Sequence, residues 1–314
     1  MQRKFRPAVD PMVKSREGKT RDGQPMSYNR SPAADLVPWL ARFHVSSMSM
    51  PEGHVLSCGL LNEAATVRIF LSGEWTVHTA DGPALLRNGA FYFGPNSRHM
   101  PVTVSGSFVS VGFALRPGTG TALKLPHVGD YVDRVVPTDV LNAPSADFVA
   151  AIDPGAPPEQ WLQGIEEVTR RQVKERGGGR PDPVTAAFEA ISFSNPGLSI
   201  KEAAAGCGVD RRKLERVISR DFGMPPKQVL RRARALDMAS YLRGVADAAE
   251  GEEMALRYYD ESHLIHEFTN LFGISPRQFI ARPQPILTLS LEARQARRLE
   301  MLNRLTPGGI RPWE

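Results

Sequence analysis

The sequence predicts an α+β protein of several domains, with an N-terminal β barrel or β sandwich, a linker helix and an all-α C-terminal domain containing two helix-turn-helix units. Three observations lead to this prediction. Short apolar segments separated by turn signals fill residues 32–116, an amphipathic stretch covers residues 159–176, and a pattern of aromatic residue, glycine, apolar residue and proline occurs twice near the C-terminus.

Length and composition set the limits of this prediction. With 314 residues, of which 41% are hydrophobic, the chain has room for two domains and a large core. No run approaches the roughly 18 to 20 apolar residues of a membrane span, and the basic start lacks the apolar core of a signal peptide. We therefore expect a cytoplasmic protein with no membrane partner. Cys58 and Cys207 are too few for a disulfide framework.

Residues 1–30 hold lysines and arginines among Pro, Gly and Ser, with few large apolar side chains. This composition is typical of a disordered basic extension. Such an extension either stays solvated or touches phosphates.

Short apolar segments then predict the strands of the β domain. The turn signals between them are Ser72-Gly73, Asp81-Gly82, Asn88-Gly89 and Ser105-Gly106. Many short strands at this spacing are typical of a sandwich or small barrel. A short helix is expected before them, at residues 36–43. The predicted strands cover residues 43–48, 55–60, 65–71, 75–79, 84–86, 90–93, 101–104 and 108–115.

Closed β barrels hold small ligands against apolar and aromatic side chains, so the β domain is a candidate sensor. Its aromatic residues either line such a pocket or fill the core, and no ligand contact is assigned. These residues are Phe70, Trp75, Phe91, Tyr92, Phe93, Phe108 and Phe113.

The sequence does not predict an enzyme. His54, His78 and His99 would have to converge to hold a metal, and none belongs to a His-x-His pair. A Gly-x-Ser-x-Gly elbow and a Gly-rich phosphate loop are also missing from the sequence. We expect neither catalytic residues nor a metal nor a cofactor.

Residues 159–176 predict an amphipathic helix. Its stripe contains Trp161, Leu162, Ile165, Val168 and Val173. The stripe packs either on the chain's own β domain or on a second copy of the chain. A Gly177-Gly178-Gly179 hinge follows, and the C-terminal domain begins near residue 182 with a helix over residues 184–193.

The first helix-turn-helix unit opens with Ser199 and Glu202 in an S-x-x-E capping box. Asp210 is the N-cap of a second helix, residues 211–220. Apolar residues at spacings of three and four form the buried stripe of this helix, and basic side chains occupy its other face. A helix of this kind has the shape that enters a DNA major groove.

The second unit repeats this pattern, with Asp260 capping a helix over residues 261–272. Gly223 and Gly273, each after a phenylalanine and before a helix-starting proline, lie 50 positions apart. A connecting helix is expected at residues 227–242.

Residues 258–268, with the sequence Tyr-Tyr-Asp-Glu-Ser-His-Leu-Ile-His-Glu-Phe, and residues 272–276 resemble the signature of the AraC/XylS family of bacterial transcription regulators. Arg257 stands where that family usually has a glycine, so the turn is expected to be built differently and the preceding helix to be shifted or shortened. Residues 111–118 and 131–137 resemble the cupin-like domain that often precedes this DNA-binding domain. The resemblance implies a regulatory β domain and a dimer.

Position-by-position matching to the family points to Arg212, Glu215 and Arg216 as candidates for base contacts, and further candidates lie on the same face of their helix and on the corresponding face of the second. Arginine can donate twice to guanine and glutamate can accept from cytosine, although Glu215 can instead pair with a neighbouring arginine and His263 can bond into the turn. The candidates are Arg211, Arg212, Glu215, Arg216, Arg220, Glu261, Ser262, His263 and His266. Residues 198–243 carry 11 Lys/Arg against 5 Asp/Glu, whereas residues 244–283 carry 3 against 7. The first unit is therefore expected to neutralise most phosphates.

The predicted divisions are a disordered basic extension (1–30), a cupin-like β sensor domain (31–140), a linker with an amphipathic helix (141–181), an AraC-type DNA-binding domain (182–283) and a helical C-terminal tail (284–314). The predicted function is sequence-specific transcription regulation. Double-stranded operator or promoter DNA is the predicted partner, with a small-molecule effector, RNA polymerase and a second copy of the chain as further candidates. A cupin-type metalloenzyme with an accessory DNA-binding domain and a constitutive DNA-architectural protein are the alternatives.

Overall fold

The N-terminal domain in the computed structural model, which describes residues 5–246, 250–255, 257–258 and 260–314, is built on an antiparallel sheet of nine strands. The strands are β1 (Lys14–Ser15), β2 (Tyr28–Arg30), β3 (Leu40–Ser49), β4 (Val55–Leu60), β5 (Thr66–Thr79), β6 (Gly82–Leu86), β7 (Gly89–Phe93), β8 (Met100–Leu115) and β9 (Val135–Pro137). The strand order is β1-β3-β8-β5-β7-β9, with β2 beside β3, β4 beside β8 and β6 beside β5. The predicted α+β fold class is confirmed.

Two of the four turn signals lie inside long strands instead of ending them. The predicted strands 65–71 and 75–79 are one strand, β5, in which the register with β8 shifts around Ser72 and Gly73. Residues 101–104 and 108–115 likewise belong to β8, which runs through Ser105-Gly106. Irregular residues inside a ladder form bulges and leave the pairing on either side intact. The predicted helix at 36–43 is also wrong, because turns lead directly into β3.

The predicted disordered extension is wrong for the described residues 5–30. β1 and β2 both pair with β3, and Val13 and Met26 are buried. Backbone pairing and these few apolar anchors order a segment whose composition is that of a disordered tail. Arg3 and Lys4, two basic residues of the predicted extension, lie outside the described residues.

The linker helix packs on the chain's own β domain. After the short helices α1 (Thr119–Ala122) and α2 (Ser145–Ala150), the helix α3 (Pro158–Glu175) buries Leu162 and Ile165 completely. They join a core cluster with Phe43 and Val67 of the sheet. The apolar stripe is therefore covered within one chain and is not free for a dimer contact.

The C-terminal domain is all α-helical. Its helices are α4 (Pro183–Ser194), α5 (Ile200–Gly206), α6 (Arg211–Phe222), α7 (Pro226–Arg243), α8 (Glu250–Ala255), α9 (Glu261–Phe272) and α10 (Pro276–Ala281), followed by α11 (Pro285–Met301). Ser199 and Glu202 form the predicted capping box of α5. In the described part of the chain, no helix is both long enough and apolar enough to cross a membrane.

The segment predicted as a C-terminal tail is a central element of the molecule. Leu287 and Ala296 of α11 are fully buried, and α11 packs against α7 on one side and against β3 and β4 on the other. One apolar cluster accordingly runs from the sheet through α11 into the second helix-turn-helix unit. Beyond α11, Trp313 is buried and its carbonyl accepts a hydrogen bond from the Arg21 backbone N–H at 3.0 Å.

Candidate DNA-binding site

The recognition helix of the first unit, α6, exposes a basic face. The Asp210 carboxylate caps the helix by accepting from the Lys213 backbone N–H at 2.8 Å. Leu214 is fully buried, whereas Arg212 and Arg216 are exposed. This places the two arginines that were predicted to read bases on the solvent-facing side of the helix.

The other predicted contacts of the first unit are partly engaged within the chain. Arg211 Nε donates to Glu215 at 2.8 Å, the local pairing that was the alternative for Glu215. Arg220 donates to Asp221 at 2.7 Å and lies 3.4 Å from Asp182. Arg220 is thus held at the C-terminal end of α6, away from the exposed arginines one and two turns earlier.

The recognition helix of the second unit, α9, exposes a face without lysine or arginine. Asp260 caps it by accepting from the His263 backbone N–H at 2.7 Å. Glu261, Ser262, His263 and His266 are all exposed. His263 also lies 3.7 Å from the Glu267 carboxylate and packs edge-on against Tyr258, which supports the structural alternative for this histidine.

The two recognition helices have equivalent positions throughout. α6 and α9 have equal length and begin 50 residues apart, so Arg212 corresponds to Ser262 and Arg216 to His266. Gly223 and Gly273 end them with φ of 73° and 72°. A left-handed backbone conformation is accessible to glycine and costly for most other residues. The two glycines therefore end both helices in the same way.

The β domain contacts both recognition helices at the same equivalent position. The Gly118 N–H donates to the Asp221 carbonyl at 3.4 Å, and the His99 N–H donates to the Leu271 carbonyl at 2.7 Å. Thr121 also donates to the Asp221 carboxylate at 2.7 Å. Sequence reasoning missed these contacts, because nothing in the spacing of Gly118 and His99 points to them.

Several cations counted for the first unit are not available to DNA. Arg232 on α7 is fully buried and donates to the carbonyls of Asn96 at 2.6 Å and Glu63 at 2.5 Å, and burial lowers its pKa to about 10. Arg231 and Arg234 pair with the buried Glu267. The net charge of residues 198–243 therefore overstates the positive charge that faces solvent.

Arg243 at the end of α7 joins the N-terminal segment to the second unit. It is fully buried and donates to the carbonyls of Phe279 and Arg282, each at 3.1 Å. It also donates to the Ala8 carbonyl and to Gln24 Oε1, each at 2.6 Å. A buried guanidinium with no carboxylate partner among the described residues is here satisfied by carbonyl oxygens.

Arg257, the predicted departure from the family pattern, follows the short helix α8. Its guanidinium pairs with the buried carboxylate of Asp237 on α7. The rest of the expected irregular turn, residues 256 and 259, lies outside the described residues.

The three histidines considered as metal ligands have other surroundings. His54 lies 3.1 Å from Asp10, His78 is exposed on β5 and His99 is at the contact with α9. In the described residues, no group of three or more His, Cys, Asp or Glu side chains could hold a metal ion.

The predicted pocket aromatics divide between core and cavity. Trp75 and Phe108 line a cavity between the sheet and α11, while Tyr92 and Phe113 line a second cavity beside α3. Phe70 and Phe93 are fully buried in the core, and Phe91 packs against Phe70 at a centroid distance of 5.8 Å.

Comparison with known proteins agrees with this geometry. The model of a helix-turn-helix domain family matches residues 203–282, which run from α5 to the end of α10. No match is found among curated proteins.

Three solved structures show distant likeness. Fatty acid-bound ToxT from Vibrio cholerae shares 9% identity over 76% of this chain and 94% of that chain, with a TM-score of 0.44. The AraC-like activator CuxR shares 13% over 67% and 86%, with a TM-score of 0.30. A cupin superfamily protein from Desulfitobacterium hafniense shares 14% over 34% and 81%, with a TM-score of 0.22. Likenesses with TM-scores this low do not bear on function.

The two capped units and the family match define the C-terminal region as a DNA-binding helix-turn-helix domain. It is a domain of the AraC type, and the resemblance predicted from residues 258–268 and 272–276 is confirmed.

Proposed function

We propose that the chain is a sequence-specific transcription regulator whose two units enter successive major-groove faces of one DNA duplex. The observation that carries this proposal is the pair of equivalent recognition helices, α6 and α9, with exposed outer faces. Successive major-groove faces are about 34 Å apart, the spacing that tandem units must match. Arg212 and Arg216 would read bases or bind phosphates, and Glu261, Ser262 and His266 would contact the second groove.

The β domain would control how the two helices are oriented. It contacts the C-terminal end of each through the Asp221 and Leu271 carbonyls. A small molecule that moves the sheet relative to α11 would change both contacts together. A signal received by one domain would then alter DNA binding by the other.

Dimerisation and contact with RNA polymerase stay predictions from the family resemblance. The α3 stripe does not supply the dimer contact, since it is buried in its own chain. No specific observation favours the metalloenzyme or the architectural protein.

The test is binding of the full chain to DNA selected from a random pool. Arg216→Ala should weaken binding by about 1 to 3 kcal/mol and relax the preference at one base pair. Arg87→Ala is the matched control, because Arg87 is an exposed arginine of the β domain. Unchanged affinity and preference in Arg216→Ala would count against the assignment, as would equal losses in both variants.

A further inference from the structure

A cavity of about 90 Å³ lies between the β sheet and α11. Since a water molecule occupies about 30 Å³ in the liquid, this space corresponds to about three waters. Much of its wall is apolar and comes from both domains. These apolar residues include Leu61, Trp75, Phe108, Leu236, Ile286 and Leu289.

Polar side chains of the cavity wall carry buried atoms that lack a hydrogen-bond partner in the described protein. Six such atoms belong to residues that line this one cavity. They are His44 Nε2, Asn62 Nδ2, Arg68 Nε, Trp75 Nε1, Ser110 Oγ and Arg294 Nη2. The amide, indole and guanidinium nitrogens among them only donate. Buried polar groups are ordinarily paired, so a cluster of unpaired donors around one space indicates a ligand that accepts hydrogen bonds.

Three of the four arginines of the wall are paired with carboxylates, and Arg294 has two such partners, because it also lies 2.8 Å from Glu63, a carboxylate of the wall itself. Arg42 pairs with Glu300 at 2.9 Å. The other two paired arginines donate to carboxylates at 2.6 Å, Arg294 to Asp237 and Arg297 to Glu189.

Arg68, the fourth arginine of the wall, has no carboxylate partner among the described residues. Its Nη2 donates to Ser290 Oγ of α11 at 3.2 Å, and burial lowers its pKa to about 10. A buried charge is costly unless it is paired, so Arg68 calls for an anion.

The sheet register brings Arg68 and His44 to the same level. Both residues are opposite Gly112 of β8, His44 from β3 and Arg68 from β5. A Cβ atom at Gly112 would lie 2.5 Å from His44 Nε2. The glycine thus leaves room for the His44 ring, and burial together with the Arg68 charge lowers the pKa of His44 to about 3. The neutral ring can donate to an anion through Nε2 in one tautomer.

We propose that this cavity binds a short-chain monocarboxylate, with the carboxylate on Arg68 and the neighbouring donors and the short carbon chain against Leu289 and Phe108. A single arginine without a carboxylate partner among the described residues matches one negative charge, and the volume admits a ligand the size of propionate. Ser290 and Arg294 lie on α11, so the ligand contacts the sheet and the C-terminal helix together. The ligand's role as a signal rests on the proposed function, whereas its binding does not.

The experiment measures binding to the full chain without DNA. Titration calorimetry gives the Kd for propionate, for its neutral isostere propionamide and for inorganic phosphate, and thermal unfolding gives the change in Tm. At about five times its Kd, propionate should raise Tm by about 2 °C. Propionamide and phosphate should bind at least about tenfold more weakly.

Arg68→Met should abolish the response to propionate. It should fold, since replacing an unpaired buried charge by an apolar side chain of similar length removes a cost. Arg87→Met, at an exposed arginine of the same domain, should respond as the parent does. Ser110→Ala removes one unpaired hydroxyl with little change in shape, and it should weaken propionate binding about threefold or more.

Equal binding of propionate and propionamide would overturn the anion assignment. Phosphate that binds as tightly as propionate would overturn the carboxylate assignment, as would a propionate response that persists in Arg68→Met. If Arg68→Met does not fold, unchanged propionate affinity in Ser110→Ala overturns the site. If the full chain binds propionate as expected but binds no selected DNA, only the proposed function is contradicted.

Discussion

The two helix-turn-helix units share a backbone but differ in the charge of the face they expose. α6 exposes Arg211, Arg212, Lys213 and Arg216, whereas the equivalent positions of α9 are Glu261, Ser262, His263 and His266. Identical capping and termination fix the shape, and only the outward residues differ. Under the proposed function, we expect the first unit to supply most of the phosphate contacts and DNA binding by the second to depend on how it is positioned.

The units also differ at a buried position. Val217 of α6 is part of the apolar stripe, and its equivalent in α9 is the buried carboxylate of Glu267. That carboxylate accepts from Arg231 at 3.1 Å and from Arg234 at 2.9 Å. Charged hydrogen bonds are directional, so α9 is oriented by ion pairs in addition to apolar packing.

The largest expected effect concerns the exposed arginines of the first unit. Arg212→Ala combined with Arg216→Ala should reduce operator affinity by about 3 kcal/mol, or roughly a hundredfold, because two cationic contacts are lost. The matched control is Ser262→Ala with His266→Ala at the equivalent positions of α9, for which we expect a loss below about 1 kcal/mol. Fluorescence anisotropy on labelled operator measures both. A larger loss in the α9 variant would reverse the comparison.

A smaller effect is expected on stability from the buried carboxylate of the second unit. Glu267→Gln should lower the free energy of unfolding by about 2 kcal/mol, because two arginines lose their charged partner in a largely buried setting. Glu215→Gln removes the exposed pair with Arg211 and should cost less than about 0.5 kcal/mol. Urea unfolding of the full chain distinguishes these variants. Similar costs for the two would show that the Glu267 pairs do not orient α9.

The first unit's attachment to the β domain should depend on pH through Glu189 of α4. Burial alone would raise the pKa of this carboxyl, but the guanidinium groups of Arg297 and Arg116 hold it below the usual value. Its stabilising contribution is therefore complete above the unfolded pKa of roughly 4.3 and is lost as pH falls through the lower folded value.

Urea unfolding between about pH 3 and 6 should show this loss in the parent. Glu189→Gln should be less stable at neutral pH and should lose part of the acid dependence. Parallel pH profiles for parent and variant would contradict the role of Glu189.

The smallest expected effect is on the salt dependence of DNA binding. Each phosphate contact contributes about 0.9 to the slope of log K against log salt concentration. The Arg212 and Arg216 double variant should lower this slope by up to about 2, while the Ser262 and His266 double variant should leave it unchanged. A reduced slope in the α9 variant would show that the second unit also grips phosphates.

The sequence predicted the parts of the molecule whose signals are local. Caps such as Ser199 and Asp210, helix stops such as Gly223 and the stripe of α6 depend on neighbours within a few residues. The helix in the predicted C-terminal tail is present as α11, but its central position was not predicted, because Glu292 and Arg298 are buried polar residues whose sequence pattern is that of a solvated face. Their partners, among them Glu250 for Arg298 at 2.8 Å, lie far away in sequence.

The sequence contains one indication of the cavity, an arginine within an apolar strand, but periodicity alone does not explain it. Arg68 interrupts an apolar strand, with Val67 and Ile69 facing α3 and Phe70 facing the other core. Alternation along β5 puts Arg68 on the same face as Phe70, but its role depends on which helix covers that face of the sheet. That helix, α11, comes more than two hundred residues later in the chain.

The position of α11 also bears on the order in which the protein can fold during synthesis. The sheet face that bears Trp75 and Phe108 is covered by a helix that is synthesised after all the strands of the sheet. Until then an apolar surface of the nascent chain is without its cover and is prone to bind chaperones or other chains. A polypeptide released before residue 285 would contain both recognition helices, α6 and α9, but the apolar face of its sheet would be uncovered.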